Sequence, residues 1–437
     1  MNEATLAFIR QNADADVRQL ALRGTKDPAV DLAFALDQIA GRQTARRKLP
    51  TWASTEGLVY PPRLSMEQCS SEPTARYKQQ LAGRESDNRR MVDLTGGFGV
   101  DFSFMARSFG KAVYVERQAS LCAIARENFS QLSLPQTEVV CADAEAYLRQ
   151  MPPADLIYID PARRDTKGAR TYAISDCTPN VLEIEQELLD KGEWVLLKLS
   201  PMLDWHKAVS ELNTVGDVVR EVHIVSVDNE CKELLLLLSA QHSSPLTISC
   251  VNNDEVFCFS GSENGFRGRG GTRVRGCENQ RSAPTGKANS IEGLDGNLVP
   301  PNPRTPAPRH YLYEPNSSVM KAGCFDVLQK RYDVAALGKN SHLFVSSDFI
   351  EDFPGRKFQI LAVSSMKRFA TNLLPDATAK ANIAVRNFPM TAEALRKKLK
   401  LKDGGDTYIF GTTVEENSMA EKWNIKTGAA LLIAKKT

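Results

Sequence analysis

The sequence predicts an α/β protein: a Rossmann-like, mostly parallel seven-stranded sheet whose last strand is antiparallel, an N-terminal helical region and a C-terminal α+β domain. Three observations carry this expectation. Between Arg90 and Ala240, short β-rich runs alternate with helical stretches, the pattern of βαβ units. The last two runs, 218–227 and 233–239, leave no room for a helix between them and read as a hairpin. A glycine-rich turn, Asp93-Leu94-Thr95-Gly96-Gly97-Phe98-Gly99, separates the first run from the next helical stretch.

The earlier strands fall at 91–95, 112–116, 138–142, 156–160 and 194–199. Upstream, residues 1–85 read as helical, because Phe8, Ile9, Val17, Leu20 and Leu22, then Val30, Leu32, Phe34, Ala35 and Ile39, recur at helical spacing. Arg42, Arg46, Arg47 and Lys48 give the second segment a basic end, either a solvated helix terminus or an RNA contact. Ser71-Glu72-Pro73 reads as a helix start, with Ser71 as N-cap. The catalytic core is therefore expected over 86–242 and the C-terminal region over 243–437.

That region opens with a stretch at about 260–309, rich in Gly, Pro, Asn, Ser and Arg, expected to be a disordered insert. Within it, Phe266-Arg267-Gly268-Arg269-Gly270-Gly271 resembles an RGG-type RNA-binding segment; a plain flexible loop is the other reading. Order resumes at Tyr311, with strands at 342–346, 358–363, 383–387, 407–411 and 429–434 and a basic amphipathic helix from Thr391 to Leu401 that ends at Gly404-Gly405.

Composition narrows the function classes. A chain of 437 residues is long enough for two or three domains, and 42% hydrophobic with 25% charged residues is ordinary for a globular protein. The longest apolar run, Leu234 to Leu238, is too short to span a bilayer, and the N-terminus lacks a basic segment before an apolar stretch, so no membrane or secretory role is expected. Nine cysteines without a Cys-x-x-Cys pair fit reduced thiols and a cytoplasmic location. The five histidines form no ligand spacing, so no metal is expected. A net charge of +2 leaves nucleic-acid binding to local basic patches.

The glycine turn points to a bound ligand. Glycines there let backbone and ligand approach closely. The dinucleotide fingerprint fails, because Phe102 stands where a small residue is required. S-adenosylmethionine has no phosphate and does not need that feature. Glu116, at the end of the second strand, suits both ribose hydroxyls, and Asp143, in Cys141-Ala142-Asp143-Ala144 after the third, suits the adenine amino group. Each acid alone also reads as support for the start of the next helix. With the loop and hairpin, they define a cofactor site of Asp93, Thr95, Gly97, Phe98, Gly99, Glu116, Asp143 and Ala144.

These residues resemble the class I S-adenosylmethionine-dependent methyltransferases. Asp93, Thr95, Gly97 and Gly99 match the first motif, with Thr95 where glycine is more usual, and Asp160-Pro161 matches the fourth. The resemblance implies strand order 3-2-1-4-5-7-6. More loosely, the whole chain resembles a bacterial group of such enzymes with a THUMP-like C-terminal domain, through Glu67-Gln68-Cys69-Ser70-Ser71-Glu72, Asp160-Pro161-Ala162-Arg163-Arg164, Tyr313-Glu314-Pro315-Asn316 and Leu399-Lys400-Leu401-Lys402-Asp403-Gly404-Gly405. The insert departs from that pattern.

In the wider family, enzymes that methylate exocyclic base amines carry Asp/Asn-Pro-Pro-aromatic after strand four. Here Asp160 and Pro161 remain, while Ala162 and Arg163 replace the second proline and the aromatic. The expected catalytic residues are Asp160, Pro161 and Arg163, with Arg163 stacking on a base, holding a phosphate or pairing with a nearby acid. Lys198, near the end of strand five, and Glu230-Cys231-Lys232, between strands six and seven, also stand where substrate is expected; Cys231 reads as a structural thiol. THUMP domains bind RNA, so Arg396, Lys397, Lys398 and Lys400, with Arg386 nearby, are the expected RNA contacts; a solvated basic face is the other reading. The function expected is methylation of a base in structured RNA, ribosomal or transfer; the alternative is a cofactor-binding RNA-interaction or assembly protein with little turnover.

Overall fold

The computed structural model describes residues 2–84, 89–163, 173–264, 310–369, 373–374, 379–415 and 427–437. Its contacts divide the chain into two compact units, essentially Met1–Ser249 and Cys250–Thr437. Most of the expected insert, 265–309, lies outside the described residues, as does Arg164. The part that is described is ordered: Ser260 ends a strand and Gly261–Asn264 forms a 3-10 turn.

The first unit begins with helices α1 (Glu3–Gln11), α2 (Val17–Arg23), α3 (Leu32–Lys48), α4 (Pro50–Ser54), α5 (Arg63–Gln68) and α6 (Glu72–Ala82). Asp16 and Asp31 cap α2 and α3 by accepting from backbone N–H groups of the first turn. Ile9, Leu20, Ala35 and Ile39 form a small core, as their spacing predicts. Leu22, assigned to the same apolar series, is 89% exposed: α2 has only seven residues and buries Leu20 alone. Ser71 stands at the N-cap of α6, but its side chain makes no cap bond and lies instead against Thr74 Oγ1 at 3.3 Å.

The sheet follows, with strands β1 (Arg90–Asp93), β2 (Lys111–Glu116), β3 (Thr137–Cys141) and β4 (Ala154–Ile159). The short pair β5 (Ala162–Arg163) and β6 (Cys177–Thr178) stands apart, and β7 (Gly192–Leu199), β8 (Val219–Val227) and β9 (Glu230–Leu238) continue the sheet. Helices α7 (Val100–Met105), α8 (Ala119–Gln131), α9 (Ala144–Gln150), α10 (Val181–Lys191) and α11 (Trp205–Leu212) connect the strands. The first unit's strands lie in the order β3-β2-β1-β4-β7-β9-β8. The pairs among β3, β2, β1, β4 and β7 are parallel, and β9 is antiparallel to both β7 and β8. This is the expected 3-2-1-4-5-7-6 order. The β8–β9 turn uses Asp228 and Asn229, both at positive φ, which matches the right-handed twist of the strands it joins. Trp52, Phe98, Phe102, Phe104, Tyr114 and Phe129 pack the core between the helices and one face of the sheet.

Strands β10 (Thr247–Asn252) and β11 (Glu255–Ser260), where the sequence suggests no element, lead into the second unit. Alternation in β11 buries Phe257 and Phe259. The rest comprises β12 (His310–Pro315), α12 (Ser317–Ala322), α13 (Phe325–Tyr332), β13 (Ala335–Ala336), β14 (Phe344–Ser346), β15 (Gly355–Ser364), β16 (Asn382–Arg386), α14 (Ala392–Leu399), β17 (Thr407–Val414) and β18 (Gly428–Lys436). Seven strands form one sheet in the order β13-β14-β12-β15-β18-β17-β16, parallel only between β16 and β17. The α+β expectation holds for this unit. Among the described residues, no helix is long and apolar enough to cross a membrane, and no group of His, Cys, Asp and Glu could hold a metal ion.

Candidate active site

At the carboxyl edge of β1, β2, β3 and β4 lies a cleft of about 710 Å³, within the range that encloses a small molecule. The glycine loop forms its floor. Gly97 (φ +54°) and Gly99 (φ +83°) adopt left-handed backbone conformations that other residues reach only at a cost. A Cβ on Gly97 would meet nothing nearer than Thr95 O at 3.8 Å, so that face is open to a ligand. A Cβ on Gly96 would fall 2.2 Å from the Tyr114 ring, which fixes the loop from behind. The Tyr114 hydroxyl donates to Gly97 O.

The two expected ribose and adenine acids both line the cleft. Glu116 Oε2 accepts from Gly97 N at 3.0 Å and Oε1 from Gln118 N at 2.8 Å, which fixes the carboxylate against the loop. Asp143 is also the N-cap of α9, its Oδ1 accepting from Glu145 N (3.0 Å) and Ala146 N (3.1 Å). The helix-start reading of Asp143 thus holds alongside its place at the cleft. Thr95, Phe98 and Ala144 line the cleft too. Asp93 and Gly99 do not. Asp93 is buried behind the loop, accepts from Thr95 N at 2.9 Å, and is pushed well above the usual carboxylate range, first by burial. Gly99 is the N-cap of α7. An open glycine face between two carboxylates fits the nucleoside part of S-adenosylmethionine.

On the acceptor side, Asp160 and Pro161 line the cleft. Thr95 explains itself here: its Oγ1 accepts from the Asp160 backbone N–H at 2.7 Å, which ties the glycine loop to the residue after β4. Arg163 pairs through its backbone with Cys177 in the β5–β6 ladder; its side chain lies outside those described.

The sequence left unread what lies behind Asp160. Lys198 Nζ donates to Asp160 Oδ2 at 2.6 Å, to Ser70 Oγ at 3.2 Å and to Asp101 Oδ2 at 3.4 Å. Lys78, fully buried on α6, binds Glu233 at 2.6 and 2.7 Å and lies 3.2 Å from Asp101 Oδ1. Tyr158 and Ser70 each donate to Asp101 at 2.8 Å. Burial would raise Asp101, but Lys78, Lys198 and these hydroxyls outweigh it and hold Asp101 below the usual carboxylate range. Burial lowers Lys198, yet Asp160, Asp101 and Glu233 more than offset it and raise the lysine well above its ordinary value. Ser65, Gln68 and Cys69, from α5 and the turn after it, line the cleft as well, so the N-terminal region contributes directly. One signal for Lys78 was available: it shares the helical face of Ala75, Leu81 and Ala82.

The comparisons with known proteins bear on both units. Over 99% of its length the chain matches the crystal structure of a candidate methyltransferase from Porphyromonas gingivalis W83, with 98% of that chain covered, 28% identity and a TM-score of 0.76. The first unit has the class I methyltransferase fold. Residues 311–354 match a family described as a ferredoxin-like domain, and residues 355–428 match one described as THUMP domain-like. Two partial matches are an rRNA methylase from Streptococcus thermophilus (17% identity, 39% of this chain, 97% of the other, TM-score 0.29) and a candidate methyltransferase from Streptococcus mutans in complex with SAH (14%, 39%, 98%, 0.30). Among curated proteins, none matches this sequence.

In the THUMP-like region, Lys397, Lys398 and Lys400 are exposed on and just after α14, which buries Leu395 and Leu399. Arg396 pairs with Asp403, and Lys397 lies 3.1 Å from Glu393. Arg386 is held by Glu314 at 2.8 Å, and Arg356 pairs with the same carboxylate, so part of the charge of Arg386 is already matched within the unit.

Proposed function

We propose that this protein is an S-adenosylmethionine-dependent methyltransferase acting on RNA. The observation that carries the reading is the joining of an open glycine loop and its two acids to Asp160 within one cleft, on the class I methyltransferase fold. Glu116 would hold the ribose hydroxyls and Asp143 the adenine amino group, while Gly97 leaves room for the rest. The cofactor, when bound, supplies an activated methyl group. Asp160 orients the acceptor, and orientation alone contributes much of the rate in such a displacement. RNA as the substrate is supported by the THUMP-like match and by the exposed lysines of α14.

The test is transfer of labelled methyl from S-adenosylmethionine to total RNA from a strain lacking the gene. Wild type should label the RNA, and Asp160→Ala should abolish labelling while binding of both ligands survives. Wild type that binds both ligands yet transfers nothing would favour the alternative, a binding or assembly protein. Full activity in Asp160→Ala would remove Asp160 from the chemistry.

A further inference from the structure

The choice of acceptor atom can be argued from the charges around Asp160. Two ammonium groups, Lys78 and Lys198, face three carboxylates, Asp101, Asp160 and Glu233, which leaves one unbalanced negative charge. Exposure grades outward through the cluster. The Lys78 and Glu233 side chains are 0% and 3% exposed, Lys198 is 14% and Asp160 38%. Only Lys198 and Asp160, of these five, line the cleft.

Resting on the methyltransferase reading, we infer that the methyl acceptor is a hydroxyl oxygen, in RNA the ribose 2′-hydroxyl, with Lys198 and Asp160 as its catalytic pair. A base amine suits this site poorly. Its two N–H groups are donors and its conjugated nitrogen is a poor acceptor, yet the site pairs one free carboxylate oxygen with an ammonium donor, Lys198, which holds the other oxygen at 2.6 Å. The nitrogen would also gain positive charge on attack, beside a cation.

A hydroxyl has the matching requirements. It can donate its proton toward Asp160 Oδ1, because Lys198 occupies Oδ2. Its oxygen can accept from Lys198, whose longest bond, 3.4 Å to Asp101, is the one most easily exchanged. The acceptor oxygen then forms the O–CH3 bond as the S–CH3 bond of the sulfonium donor breaks, and that electron pair stays on sulfur. The hydroxyl proton passes to Asp160. A sulfonium and a carboxylate become a thioether and a carboxylic acid, so charge balances. The Lys198 ammonium stabilises negative charge that builds on oxygen as the proton leaves. Asp101 and Glu233 are positioning residues that keep Lys198 charged and fixed, and Lys78 holds those two carboxylates in place.

The experiment incubates the full chain with methyl-deuterated S-adenosylmethionine and total RNA from a strain lacking the gene, then digests the RNA to nucleosides for mass spectrometry. The expected label stays with the sugar fragment when the glycosidic bond breaks. Label on a base fragment overturns the hydroxyl inference and upholds the RNA methyltransferase reading; no label in RNA overturns both. In the same assay Lys198→Met should lose on the order of a hundredfold or more in rate, the usual effect of removing one oxyanion donor. Calorimetric binding of S-adenosylhomocysteine should meanwhile stay within about twofold. Lys198→Arg keeps the positive charge and serves if the Met variant folds poorly; it should fold, bind S-adenosylhomocysteine and still lose most of the rate. Wild-type rates in either folded variant would overturn the role of Lys198.

Discussion

Replacing Lys78 by methionine tests whether the buried charge cluster holds the first unit together. The ammonium is fully buried, 2.6 and 2.7 Å from Glu233 and 3.2 Å from Asp101. Methionine fills similar volume but leaves Glu233, itself 3% exposed, with Lys198 at 4.0 Å as its one ion-pair partner among the described residues. Breaking a buried pair from one side costs about 3–5 kcal/mol, because the abandoned charge stays desolvated. For a unit of this length each kcal/mol shifts the melting temperature by about 2–4 °C, so Lys78→Met should melt roughly 6–20 °C lower at pH 7.5. The pH dependence has a definite sign. Asp101 is held below its ordinary pKa in the wild type, so its contribution is present above the unfolded value and is lost as pH falls. In the variant, the unpaired Glu233 becomes cheaper to bury once protonated. The two melting curves should therefore converge toward acid pH, and Lys78→Met/Glu233→Gln should recover part of the loss at pH 7.5. Differential scanning fluorimetry from pH 4.5 to 8 reads all of this. A single variant within about 3 °C of wild type at pH 7.5, or a gap that widens on acidification, refutes the argument.

Three further predictions concern other places. Glu116→Ala removes an acceptor that both Gly97 N and the expected ribose use, and should weaken S-adenosylmethionine binding by about 1.5–3 kcal/mol without unfolding the chain; unchanged calorimetric affinity would take Glu116 out of the site. Glu185, buried on α10, is pushed up to about 7 by desolvation, so the folded state binds its proton more tightly than the unfolded one and stability falls as pH rises through that range. Glu185→Gln should therefore gain melting temperature over wild type between pH 5 and pH 8, and an equal gap at both values would contradict it. Converting Lys397, Lys398 and Lys400 to glutamine should weaken RNA binding and lower the log–log salt slope by about 2 to 3, measured by filter binding from 50 to 200 mM salt, if all three contact phosphate; an unchanged slope assigns them to a solvated face.

The sheet was legible because its signals are local. Alternating β runs, a glycine turn and two runs too close for a helix mark a parallel sheet with an antiparallel end, the class I methyltransferase resemblance of the motifs supplies the strand order, and Asp228-Asn229 closes the hairpin where those runs meet. Glu116, Asp143 and Asp160 were legible for the same reason: each stands at or just past the end of a strand. The charge cluster was not, because its members come from α6, α7, β7 and β9 and meet only when the chain is folded. Glu233 precedes a leucine run in β9 and Asp101 lies in the first turn of α7, and neither position alone marks a site. Cys69 and Gln68 formed part of a recognised stretch, but nothing local tied them to the cleft. The β10–β11 pair went unread, because its runs fall between the core hairpin and the low-complexity stretch and carry no motif.

The Lys78–Glu233 bond spans 155 residues of sequence, and the Tyr77–His223 and Arg84–Glu221 bonds span 146 and 137. A ribosome adding about 5–20 residues per second takes about 8–30 s to cross such a separation. Through that interval α6 and Asp101 have emerged, yet Glu233, which binds the α6 lysine most closely, has not been made. The late polar partners of this segment arrive together, on one hairpin near the end of the unit. The small core of Ile9, Leu20, Ala35 and Ile39 needs nothing downstream and can close early. Helix α6 cannot. Synthesis therefore imposes an order on this unit: its first part is complete in sequence long before it is complete in charge, and the hairpin that finishes the sheet also ends the wait.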